Sequence, residues 1–177
     1  MWRNQPLVHV AAKYGVLAAG LGFVFLLILY AIGKHPFLIP VFFDFRIILF
    51  AFAVFFALRE LRERYYGGLL YFWQGMIASL LLTLVFAVLT AAGLWIFATV
   101  YPPFTQEYIQ LFREQVAAFP PDVVEKIGKE NLERNLKAIA DTHAFDLATL
   151  YAWQSLLISF FVSIILTVIL RRQPKMN

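Results

Sequence analysis

Between Leu69 and Val100 the chain carries no charged side chain, whereas about 20 apolar residues already suffice for a helix to cross the hydrocarbon core of a bilayer. Few folds can accommodate such a run. Within it Gly75, Ser79, Thr83, Ala87 and Ala91 recur every fourth residue. Residues four apart share a helical face, so the stretch is predicted to carry a groove of small side chains into which a second helix can press.

The rest of the chain places itself around this run. Of 177 residues, 62% are hydrophobic and 15% charged, well below the ~25% charged residues of an ordinary soluble domain. The apolar residues are blocked into long runs, which predicts an all-α integral membrane protein with four transmembrane helices. The net charge of +4 does not point to nucleic acid, because the cations stand at the ends of apolar runs. Absence of cysteine excludes disulfides, thiol nucleophiles and Cys-based metal sites.

The predicted spans are residues 14–32, 37–58, 69–99 and 147–170. The first begins after a basic lead with Arg3 and Lys13 and ends at Gly33-Lys34-His35-Pro36. Its apolar core exceeds the ~7–15 residues of a signal-peptide core, so it is expected to stay uncleaved. Pro40, Asp44 and Arg46 interrupt the second, leaving a clean core of only Ile47–Leu58. Pro40 is placed near that helix's start, with Asp44 and Arg46 at the outer interface. Residues two apart do not face each other on a helix, so these two need not pair. The third span, about 45 Å long at ~1.5 Å per residue, must tilt, bend or project.

Residues 102–146 form a polar segment with eight acidic and five basic side chains. Thr105 is a candidate N-cap, and Tyr108, Ile109, Phe112, Val116 and Phe119 keep helical spacing. A second pattern of Val124, Ile127, Leu132, Leu136 and Ile139 is interrupted at Gly128. A small helical excursion is expected. In the fourth span Ser155, Ser159, Ser163 and Thr167 again recur every fourth residue, so the third and fourth spans are predicted to pack along matching ridges.

The lead, the 59–64 turn and the tail hold Arg3, Lys13, Arg59, Arg62, Arg64, Arg171, Arg172 and Lys175, while the opposite side has Lys34 and a net negative segment. This asymmetry predicts cytoplasmic termini and an extracytoplasmic 102–146 segment. Trp2, Tyr65, Tyr66, Tyr71 and Trp73 would mark the inner interface, and Trp95, Tyr101, Tyr151 and Trp153 the outer. The two halves do not repeat each other, which disfavours an inverted-repeat transporter.

Several short elements resemble a family of small bacterial membrane proteins, mainly from Bacteroidota, known as domain of unknown function 4199. They are Lys13-Tyr14-Gly15 opening the first span, Gly67-Gly68 followed by Phe72 and Gly75, Tyr101-Pro102-Pro103-Phe104, and the hydroxyl-bearing last span closed by Arg171-Arg172. The resemblance covers nearly the whole chain. It implies a bacterial inner-membrane location and the same topology, and no activity.

Ionisable groups at membrane depth are functional candidates, which singles out Asp44 and Arg46; the competing reading makes them interfacial anchors. Gln74 and Gln154 lie at opposite ends of the membrane and cannot form one site. The fourth-span hydroxyls could line a polar path, but such hydroxyls more often bond their own helix or a neighbour. His143, between Asp141 and Asp146, has too few partners for a metal motif. No catalytic, cofactor or metal signature is present. The sequence therefore favours a non-enzymatic accessory, assembly or interaction subunit whose partners are the bilayer and a protein or a second copy. The alternative is a small oligomeric transporter or channel.

Overall fold

The computed structural model describes residues 5–173; Trp2, Arg3 and Lys175 lie outside them. Seven α-helices follow in order: α1 (Gln5–Ala31), α2 (Phe45–Glu60), α3 (Phe72–Val100), α4 (Pro103–Ala117), α5 (Pro121–Ile127), α6 (Lys129–Ala140) and α7 (Ala144–Leu170). Two 3₁₀ turns, Pro36–Leu38 and Val41–Phe43, precede α2, and a π turn, Leu61–Tyr65, follows it. Among the described residues the fold is all-α, with one isolated antiparallel bridge between Leu70 and Arg172.

α1, α2, α3 and α7 form a closed four-helix bundle in which α3 packs on α1 and α7, and α2 packs on both of these from the other side. Within it α1 and α3 run one way and α2 and α7 the other. Two sets of contacts fix the direction of each helix. At one end Lys13 Nζ meets Glu60 Oε2 at 2.6 Å, Arg62 donates to the Leu170 carbonyl at 3.3 Å, and Leu70 exchanges backbone hydrogen bonds with Arg172. At the other, Tyr30, His35, Tyr101, Phe104 and Tyr151 converge. Phe50 and Phe86, both fully buried with centroids 4.8 Å apart, fill the centre.

Among the described residues three helices are long and apolar enough to cross a membrane: Pro6–Ala31, Phe72–Val100 and Ala144–Leu170. Their outward faces stay apolar. Leu17 and Leu21 on α1, Val88 and Ile96 on α3, and Phe161 and Ile169 on α7 are each more than half exposed. Helices that are hydrophobic all round need an apolar surround that the bundle alone does not supply.

The second predicted span is corrected. Residues 37–58 do not form one long helix: α2 has 16 residues, about 24 Å at ~1.5 Å per residue, short of the ~30 Å core. The cause is local. Pro36 and Pro40 lack amide donors and hold the residues before them in extended conformations, so the chain runs through two 3₁₀ turns. Helix begins only where Asp44 caps it, accepting from Arg46 N at 2.9 Å. Pro40 stands between the turns, outside the helix. Past Glu60 the π turn prolongs the helical path to Tyr65, and Gly67 and Gly68, with φ of +59° and +85°, turn the chain into α3.

α4, α5 and α6 form a small cap between α3 and α7. Thr105 is not its N-cap. Pro102 takes that position, Thr105 lies inside α4, and its buried hydroxyl has no partner among the described residues. The cap docks through Phe104 and Tyr108, and Gly128 (φ +85°) separates α5 from α6.

Candidate functional site

Asp44 sits one residue before α2 in extended backbone, φ −70° and ψ 119°. From there its carboxylate folds back over the first turn to reach Arg46. The expectation that residues two apart need not pair fails here, because only one of the two is on the helix. Arg46 Nε lies 2.9 Å from both carboxylate oxygens, and Nη2 is 2.5 Å from Oδ2. Both side chains are more than 90% buried.

The remaining guanidinium donors reach α7. Nη2 also donates to Gln154 Oε1 at 3.0 Å, and Nη1 donates to Ser155 Oγ at 3.0 Å and the Tyr151 carbonyl at 3.2 Å. The guanidinium carbon stands 4.3 Å from the Tyr151 ring centroid, within cation–π range. All five side-chain N–H donors of Arg46 are thereby engaged, and Asp44 accepts from Arg46 N, Nε and Nη2, its two oxygens sharing the single Nε–H. A guanidinium so occupied has no donor free for a passing anion. Chemically the arrangement is a clamp: it ties the start of α2 to the first turns of α7. A pocket of about 230 Å³ lies beside it, lined by Asp44, Arg46, Gln154 and the apolar residues of the 3₁₀ turns and α7.

Gln74 is at the far end of the bundle, where its side chain accepts from the Tyr71 amide at 3.1 Å and caps α3. Gly75, Ser79, Thr83 and Ala87 are buried, and Ala91 is half-buried. Ser155, Ser159, Ser163 and Thr167 on α7 are fully buried. Thr83 donates to the Ser79 carbonyl at 2.8 Å, which leaves its oxygen to accept from Ser159. A methyl carbon on Gly75 would stand 2.6 Å from Thr167 Cγ2. The α3–α7 seam is thus closed at that level. Among the described residues the Ser163 and Thr167 hydroxyls have no partner. His143 and Asp146 cap α7, the His143 amide donating to Asp146 Oδ2 at 2.8 Å.

His35 escaped the sequence reading. It is 5% exposed, its Nε2 is 3.1 Å from the Phe104 carbonyl, and its Nδ1 has no partner among the described residues. Its ring lies 4.6 Å from that of Phe104 and 5.4 Å from that of Tyr108. Burial among these rings holds its pKa below the usual imidazole value, partly offset by the hydrogen bond to the Phe104 carbonyl and the charge of Glu107. In the sequence His35 is only one residue of a span-ending loop. Its burial depends on α4 folding over it from 69 residues away.

Neither the curated proteins nor the solved structures contain a match to this chain. The family described as "Protein of unknown function (DUF4199)" matches residues 13–172, a range that takes in the clamp, the α3–α7 seam and the cap. The chain belongs to that family.

Proposed function

We propose that this chain is a non-enzymatic component of the bacterial inner membrane, an accessory or assembly subunit that acts through contacts of its helices and cap. The observation that carries this reading is the full engagement of Arg46 in the Asp44–Arg46 clamp. The two charged side chains buried between the helices bind each other and α7, leaving no guanidinium donor for a substrate. The exposed apolar faces of α1, α3 and α7 supply ample surface for lipid and for a partner helix. Lys13, Arg59, Arg62, Arg64, Arg171 and Arg172 gather at the end of the bundle that holds both ends of the described chain, which supports cytoplasmic termini and an external cap.

The rival is a small oligomeric transporter or channel, favoured by the ~230 Å³ pocket against Asp44, Arg46 and Gln154. That pocket is below the ~300–1,000 Å³ of typical ligand sites. Photocrosslinking from position 161 on α7 or position 96 on α3, in native membranes, separates the readings. A reproducible adduct with a different protein is expected; adducts with lipid alone, or with this chain alone, would overturn the subunit reading.

A further inference from the structure

The cap leaves a groove that the bundle does not cover. α4, α5 and α6 surround about 730 Å³ of open space. Val116, Phe119, Val124, Leu132 and Leu136 form an apolar lining, and Arg113, Glu133 and Lys137 add charge to it. These three are exposed and, among the described residues, none has an ion-pair partner, whereas Arg134 on the same α6 pairs with Glu130 at 3.1 Å. An apolar trough with two unpaired cations against one carboxylate is complementary to an anionic head on a hydrocarbon chain. Its volume falls in the ~300–1,000 Å³ range of single-ligand sites.

We infer that this groove binds one single-chain anionic amphiphile, a long-chain fatty acid, with its chain along Val116, Val124 and Leu136 and its carboxylate between Arg113 and Lys137. The cap joins α3 through Tyr101-Pro102 and α7 through Asp141-Thr142-His143, so on the membrane reading the groove is held beside the headgroup layer, where such molecules partition. The site is independent of whether a protein partner exists.

The test uses the full chain in phosphatidylcholine nanodiscs with a diazirine-bearing palmitate, adducts being mapped by peptide mass spectrometry. Expected are adducts on peptides from residues 113–140 that fall at least five-fold with excess unlabelled palmitate and not with hexadecanol. The R113Q/K137Q pair should remove that competed fraction without moving the melting temperature, because both side chains are exposed and unpaired. Leu136→Trp, which fills the trough, should do the same. Labelling that palmitate does not compete, that hexadecanol competes equally, or that falls only on α1, α3 and α7 would overturn the site and leave contact with the bilayer surface. Protection of residues 113–140 in a dimer would overturn it in favour of a second copy. A chain that fails to co-purify with nanodisc lipid would instead bring down the membrane reading on which the proposal rests.

Discussion

At Arg46, replacement by Met would leave the Asp44 carboxylate buried without its counter-charge. Removing one partner of a buried pair typically costs about 3–5 kcal/mol, while replacing both with neutral groups costs much less. Arg46→Met should therefore lower unfolding stability in detergent by about that amount, and Asp44→Asn/Arg46→Met should recover a large part of it. Equal losses in the single and double variants would contradict the clamp. His35 behaves differently. Its folded pKa is depressed, so the unfolded chain binds the proton more readily; stability is full above the ordinary value near 6.5 and declines as the pH falls below it. The melting temperature should drop between pH 7.5 and 5.5, and His35→Gln should shrink that drop. An unchanged drop would put its origin elsewhere. Of these residues, Asp44 and Arg46 were legible because charge in an apolar run stands out. Their partners were not, since Ser155 and Gln154 lie more than 100 positions away and nothing local marks the pairing.

The long helices were legible as elements, because uninterrupted apolar length is a direct physical requirement of a bilayer. α2 was not, because apolar composition from Phe37 onward concealed the backbone consequences of Pro36 and Pro40. The small residues differ in what surrounds them. A methyl on Gly15 would stand 2.8 Å from both the Leu82 carbonyl oxygen and Val85 Cβ, atoms held by α3 itself, while Gly20 has nothing within 4 Å. Gly15→Ala and Gly75→Ala should each destabilise by about 1–3 kcal/mol through overpacking, with Gly15 the worse. Thr167→Ser, which removes the opposing Cγ2, should relieve Gly75→Ala and not Gly15→Ala. Gly20→Ala should be neutral or stabilise by up to ~1 kcal/mol through helix propensity. Thermal unfolding of the five variants would check the order, and equal effects at Gly20 and Gly75 would contradict close α3–α7 packing.

Taken whole, the molecule is a bundle with its buried charges neutralised internally, three helices apolar on their outward faces, and a cap only partly packed against it. Its exposed apolar surface needs lipid and is available to other helices. Its function was less legible than its fold, because a clamp and a closed seam carry no reaction chemistry that a motif could announce. Native mass spectrometry of the chain extracted together with its surrounding lipid weighs the subunit reading against its rival. A reproducible heteromeric mass is predicted, with the partner identified from the dissociated subunit. A homo-oligomer alone, or a bare monomer, would contradict it, and the former would direct attention to flux through assemblies carrying Asp44→Asn and Arg46→Met.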